Sequence, residues 1–412
     1  MRARRLAGRP SAIHVRVIDE PALAARPSAD PAASHRIVLV QDGTAEIVRI
    51  QTGADERESA LAWQFGQRRL AARLTAAAAV GRPAAWPVPR ASRPPVSVVV
   101  PTKDRPAQLR RALVAARAAM SALDEILVVD NGRLGASRRT AEESGARYFH
   151  EPRPGVAFAR NTGSSQARHE TVVFLDDDGE ADCGLIEALV APLAADPAVV
   201  ATVGGVLGRD PASAVGQLFD DRYPLFRGWT ERRFVGGTGT RLSPFDVWKV
   251  GPGAAMAWRR SALTQLGGFD PALGEGTPAG GAEDSDLFRR ALESGHTIVY
   301  TPHALLWHDH PATRSELRRK MNHYAVAGAG HASKITIETR RLGAAQLVAR
   351  QLGWLPTWLS TEAGQRLRGQ PALPLSGIAP FPIMTVLGMA RFLRHRARLR
   401  ALGHNARADG VS

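Results

Sequence analysis

Residues 171–182, TVVFLDDDGEAD, constrain this chain more than any other stretch. The run TVVFL is apolar, β-branched and aromatic, the make-up of a buried strand, and it stops at three adjacent carboxylates, Asp176, Asp177 and Asp178. Acids side by side at the carboxyl end of a strand repel one another. A hard divalent cation with oxygen ligands, shared with substrate phosphates, compensates them; a solvated acidic turn bent at Gly179 is the plainer reading.

The surroundings favour the first reading. From Val96 the pattern is VSVVVP, a helical period over 106–122, EILVVDNG, a short helix over 140–145, RYFHE, a small-residue helix over 155–167 (GVAFARNTGSSQA), and then the strand into the acids. Strands alternating with helices imply a mainly parallel sheet, and such sheets bind ligands outside the carboxyl ends of their strands. Thr102 with Asp104, Asp130, and Asp176 to Asp178 all fall at such ends. Beyond them a strand is expected over 199–206 and irregular chain over 209–246. A Gly-rich segment then leads into Glu283-Asp284 at a helix start, followed by a strand TIVY and by His308-Asp309-His310. Acids at a helix N-terminus are also ordinary caps, so Asp284 alone decides nothing.

Length suits two or three units, since 412 residues exceed a single core of ordinary size. Residues 1–95 read as an accessory unit. They hold a β-hairpin over 36–50 turning at Asp42-Gly43, a helix over 57–79 and a Pro-rich linker over 83–95. Residues 96–312 read as the catalytic unit and 313–412 as a basic helical extension. Of the net charge of +15, sixteen Lys/Arg against four Asp/Glu lie from residue 311 onward. A basic tail of this kind suits an anionic surface, and no nucleic-acid motif accompanies it. The run 376–393 is apolar but broken by Pro380 and Pro382, and RHRARLR follows. That is either an interfacial segment on anionic lipid or a helix packed on the domain; it is too short to span a bilayer. No signal-peptide pattern opens the chain, so a cytoplasmic protein is expected, peripheral at the inner face of the plasma membrane if the tail binds lipid. The one cysteine, Cys183, reads as a buried, inert thiol.

Taken in order, VSVVVPTKDR, EILVVDNG, GVAFARNTG, VVFLDDDG, GGFDPALGEG, GGAEDSDLFRRALESGH and WHDH resemble the inverting family-2 glycosyltransferases of the GT-A fold. The resemblance implies a Rossmann-like α/β sandwich and an enzyme that moves a sugar from a nucleotide-sugar, a UDP-sugar by expectation, to a hydroxyl acceptor. It implies Mn²⁺ or Mg²⁺ as cofactor. It implies that Asp130 contacts the nucleotide base and that Thr102 and Asp104 line the nucleotide pocket. Arg160 would help hold the donor, and Asp176 and Asp178 would frame the metal-diphosphate site, with Asp177 between them. Asp284 is the implied base beside Glu283, and His308 or His310 a further metal ligand.

The chemistry explains those residue types. Charge builds on the departing diphosphate, where a cation stabilises it, and a neutral hydroxyl needs a carboxylate to take its proton. A glycan, lipid-linked or small-molecule acceptor is open, with cell-envelope synthesis suggested only by the basic, apolar tail. A sugar nucleotidyltransferase would want a Gly-rich loop after the first strand, where PTKDR stands. A non-catalytic nucleotide-binding adaptor would not need Asp178 and Asp284 intact.

Overall fold

The computed structural model describes segments 12–13, 34–41, 44–51 and 61–62. From 93 to 403 it describes all but 134, 136, 210–212, 229, 238–241, 341–345, 347–348, 350–351, 354 and 368–379. In the N-terminal region β2 (Ser34–Gln41) and β3 (Thr44–Gln51) pair antiparallel, closing with Gln41 opposite Thr44. A two-residue connection is what an Asp-Gly pair predicts. Asp42 and Gly43 themselves lie outside the described residues. β1 (Ala12–Ile13) pairs with β4 (Leu61–Ala62), so those two residues form a strand bridge inside the stretch expected to be helical; the rest of 57–79 lies outside the described residues, as does 83–92 of the expected linker.

From Val96 the elements alternate as the periodicity predicts. β5 (Val96–Thr102), α1 (Pro106–Ala119), β6 (Glu125–Asp130), α2 (Arg138–Glu143), β7 (Arg147–His150), α3 (Val156–Gln166) and β8 (Thr171–Leu175) make the first half. β9 (Gly179–Ala181), α4 (Leu185–Ala195), β10 (Val199–Gly208), α5 (Ala214–Arg222), β11 (Arg232–Val235), β12 (Ala255–Arg259), α6 (Arg260–Gln265), α7 (Glu283–Glu293) and β13 (Thr297–His308) make the second. One nine-stranded sheet runs β11-β13-β10-β12-β8-β5-β6-β7, with β9 added against β13. β5, β6, β7, β8, β10 and β13 share one direction, and only β9, β11 and β12 oppose it. The 209–246 stretch is less irregular than expected. It contains α5, β11 and the start of a 3₁₀ turn at Pro244–Lys249, short elements too small to show a period.

Strand alternation divides two cores across the sheet. Val96, Val98 and Val100 pack with Leu109 and Leu113 of α1 and Leu189 of α4, while Val99 faces Ala157 and Ala159 of α3 and Leu287 and Phe288 of α7. The small residues of α3 allow a close approach: a Cβ on Gly163 would stand 2.3 Å from Val99 Cγ1. Cys183 is exposed rather than buried, because it lies in the turn between β9 and α4.

Three helices follow. α8 (Arg314–Thr339) starts in a capping box of Thr313 and Glu316. α9 (Leu355–Leu367) brings the fully buried Glu362 to Arg222, and α10 (Phe381–Ala401) packs along α8. Gly388 of α10 lies so close that a Cβ there would meet the Val326 carbonyl at 2.5 Å, and Phe392 is fully buried. From Phe381 onward, one face of the apolar 376–393 run is therefore packed as a helix; residues 376–379 lie outside the described residues. Its other face leaves Ile383 63% and Val386 55% exposed beside Arg391 and Arg394. Among the described residues no helix is long and apolar enough to cross a membrane.

Candidate functional site

Sheet register assembles an acidic corner from distant parts of the chain. After β8 the backbone turns, Gly179 N–H donating to Asp176 O at 3.2 Å, and β9 pairs with β13 so that Gly179 stands opposite His308. That register sets the His308 Nε2 3.1 Å from Asp178 Oδ1. Asp176, Asp178 and His308 each offer a ligand atom, and those atoms lie within 4.8 Å of one another. His310 is elsewhere: its Nε2 meets Asp220 Oδ1 at 2.9 Å and its ring packs on Phe219. Asp309 between them pairs with Arg111 and Arg209.

The three acids differ because their partners differ. Burial alone would raise Asp178, but the paired His308, then Lys320 and Arg105, hold its carboxyl well below the usual range. Burial and the neighbouring Asp178 push Asp177 up to about 7, against the hydroxyl of Thr102, which donates to it at 2.6 Å. Burial likewise raises Asp176, whose Oδ1 receives Arg160 Nη2 at 3.0 Å. Arg160, buried on α3, also donates through Nη1 to Glu283 and through Nη2 to the carbonyl of Gly253. Arg160 thus joins the β8 corner to the start of α7.

At that start Ala282 takes a left-handed φ of 69° and caps the helix without a side-chain bond. Asp284 follows in the first turn. Its Oδ2 accepts from Gly253 N at 2.8 Å and its Oδ1 from Ser285 N at 2.6 Å, so it is tied both to its own helix and to the loop before β12. Burial pushes Glu283 up to about 7 against the pull of Arg160.

A cavity of about 1140 Å³ opens on all of this. Thr102, Arg160, Asp176, Asp177, Asp178, Glu283, Asp284 and His308 line it. Asp130 and Asp104 do not. Asp130 is fully buried, accepting from Gly132 N, Ser137 N and Tyr148 Oη, and Asn131 lines the cavity in its place. Asp104 is exposed at φ 54° and accepts from Arg133 N at 2.9 Å. Both order the loop after β6, which sequence spacing does not distinguish from lining the pocket.

The family model for glycosyl transferase family 2 matches residues 97–267. The chain carries a family-2 glycosyl transferase domain. It is 30% identical over 249 residues to the pre-mycofactocin glycosyltransferase of Mycobacterium tuberculosis, covering 60% of this chain and 47% of that one. It is 25% identical over 232 residues to a probable glycosyltransferase of Bacillus subtilis, 53% and 52% of the two chains. The chain thus spans about half the length of the curated relatives it matches. Among solved structures, a mannosyltransferase from Pyrobaculum calidifontis, in complex with GDP-Man and Mn²⁺, is 22% identical with a TM-score of 0.46, covering 82% of this chain and 95% of that one.

The matched family-2 segment ends before Asp284 and His308, and before α8, which supplies residues the sequence reading missed. Lys320, His323 and Tyr324 of α8 line the same cavity as the acids. Lys320 lies over the Tyr324 ring at 5.6 Å. Tyr324 most of all, then Glu275, Asp178 and Asp176, raise its pKa in spite of burial, keeping it charged. Among the described residues no carboxylate pairs with it. The sole sequence hint is a lysine within a helix that carries an otherwise alanine- and glycine-rich buried face.

A buried ionic cluster fixes α8 against α7. The fully buried Asp286 receives Arg289 at 2.8 Å, Arg290 at 2.8 Å and Lys334 at 2.9 Å, and Lys334 also reaches Asp270. As a donor set, two carboxylates and an imidazole suit a divalent cation such as Mn²⁺ or Mg²⁺. The buried Nδ1 of His308 has no partner among the described residues, and Nε2 is the nitrogen that faces the carboxylates.

Proposed function

We propose that this chain is an inverting glycosyltransferase that moves a sugar from a nucleotide-sugar, a UDP-sugar by expectation, to a hydroxyl of a glycan, lipid-linked or small-molecule acceptor. One observation carries the reading: the Asp176–Asp178–His308 corner and Asp284 face a single cavity, although three separate parts of the chain supply them. Asp176, Asp178 and His308 would hold Mn²⁺ or Mg²⁺, which when bound neutralises charge on the donor's diphosphate.

The residues themselves account for the rest. Lys320 places a permanent ammonium beside the acids, where the diphosphate oxygens need a second cation. Arg160 keeps Asp176 and the first turn of α7 in register with each other. Asp284 accepts the proton of the acceptor hydroxyl while that oxygen bonds to the anomeric carbon. The bond from carbon to the diphosphate oxygen breaks in the same displacement, so the nucleoside diphosphate leaves and configuration inverts. The loop carrying Gly253 orients Asp284 through the Gly253 N–H, and a Cβ at Gly253, 2.6 Å from Asp284 Oδ2, would block that approach. The exposed face of α10, apolar residues beside arginines, supports a further proposal of peripheral contact with anionic lipid.

Incubation with a panel of labelled nucleotide-sugars and Mn²⁺ tests the reading. Slow, cation-dependent release of sugar from one donor is expected even without acceptor; no release from any donor, with nucleotide triphosphate and sugar phosphate turned over instead, would replace it with nucleotidyl transfer.

A further inference from the structure

Four arginines line the cavity, and three of them have carboxylate partners: Arg105 with Asp177 and Asp178, Arg160 with Asp176 and Glu283, Arg222 with Glu362. Arg227 has none among the described residues. Its Nη1 donates to the Pro224 carbonyl at 2.5 Å and its Nη2 to the Trp248 carbonyl at 2.6 Å, while its guanidinium lies 5.2 Å from the centre of the Trp248 ring. Asp246, on the same wall, is 3.5 Å from Lys249. Burial pushes Arg227 down to about 10; Tyr300 and Tyr324 oppose that shift only in part, and Arg232 adds to it.

A half-buried cation without a counter-ion is costly, and a chain that merely needed to fill this wall has apolar means of doing so in Leu225 and Phe245. Here two carbonyls and an indole hold the guanidinium plane in place. One N–H remains free on each Nη, the fork that binds an oxyanion through two parallel bonds. Arg227 grips the chain at residue 248 and Asp284 grips it at Gly253, so the two side chains flank a segment that spans at most about 18 Å when extended. The donor-side cations, Arg105, Arg160 and Lys320, sit instead with the acids.

We propose that Arg227, backed by Trp248, is an anion subsite for the acceptor, so that the attacking hydroxyl belongs to a molecule that also bears a phosphate or carboxylate. This deepens the transferase reading and rests on it. Tyr223 and Phe245 on the same wall would cover the apolar part of such an acceptor.

The test uses the full chain, saturated with Mg²⁺ and a nucleoside diphosphate, titrated with glycerol 3-phosphate, glycolate and neutral glycerol. Wild type binds at least one of the two anions and not glycerol. Preference for glycerol 3-phosphate assigns a phosphorylated acceptor and preference for glycolate a carboxylated one. Arg227→Gln weakens that binding about tenfold or more, the loss of a charge-assisted pair, and Arg227→Lys recovers part of it. Equal anion binding by wild type and Arg227→Gln, or no anion binding by nucleotide-loaded wild type, overturns the subsite. Failure of the nucleotide to bind would count against the transferase reading, and the same wild-type and variant titrations without nucleotide would still decide Arg227.

Discussion

At the acidic corner of the cavity Asp178 meets His308 through sheet register, and Asp176 and Glu283 share Arg160; on the wall built by α8 and the 222–249 stretch, Lys320 and Arg227 have no carboxylate partner among the described residues. The first wall belongs to strand ends, whose geometry any sheet of this order reproduces. The second comes from short elements and a helix that pack onto the sheet through side chains of their own. In the proposed transferase the contrast would separate chemistry from selectivity: the acidic corner and Asp284 would carry the transfer, and Arg227 the choice of acceptor.

The sharpest way to break that contrast is to disable the acidic wall while leaving binding alone. Asp284→Asn retains a side chain that can accept from Gly253 N but not a proton acceptor. Turnover should fall by a factor on the order of 10² to 10⁴ while donor affinity stays near wild type, measured by steady-state kinetics beside calorimetry. If Asp284 only ties the helix to its loop, turnover survives and the unfolding midpoint drops instead.

The wall built by α8 depends on a junction that can be broken by itself. Lys334→Met removes the partner of the buried Asp270 and one of three cations on Asp286, and should cost about 3–5 kcal/mol in denaturant unfolding. A smaller, purely local effect is expected at Lys320→Met. Nucleoside diphosphate affinity should weaken about tenfold. Binding of Mn²⁺ alone should be unchanged or tighter, because a positive charge leaves the neighbourhood of Asp176 and Asp178. A lysine that only balanced the acids would tighten the cation and leave the nucleotide untouched. Least affected of all is the far side of α10: each of Arg391→Gln and Arg394→Gln should weaken binding to acidic vesicles about fivefold, with donor hydrolysis unaltered. Vesicle binding that ignores both substitutions would leave α10 as a packed helix alone.

The two walls were also unequally legible in the sequence. The acidic run, the strands feeding it and the Glu283-Asp284 helix start could be read because each is local: an apolar run ending in charge, or a period beginning after glycines. That His308 rather than His310 joins the acids could not, since the choice depends on β9 pairing with β13 across more than a hundred residues. Asp130 and Asp104 sit where pocket residues belong, yet one turns inward to order a loop and the other faces solvent, a difference of side-chain direction that spacing does not encode. Lys320 and Arg227 were missed because what marks them is the lack of a partner, which exists only once the fold has placed every other charge.

The proposed transfer requires a cation-dependent nucleotide site at the acidic corner. Calorimetric titration of UDP and GDP into wild type and Asp178→Ala, each with Mn²⁺ and again with chelator, tests it most directly. Wild type should bind one of the two with Mn²⁺, chelation should abolish binding, and Asp178→Ala should bind neither while still unfolding in one cooperative transition, since the side chain fills no core. Equal affinity in chelator, or an Asp178→Ala variant that binds with wild-type affinity in Mn²⁺, would contradict it.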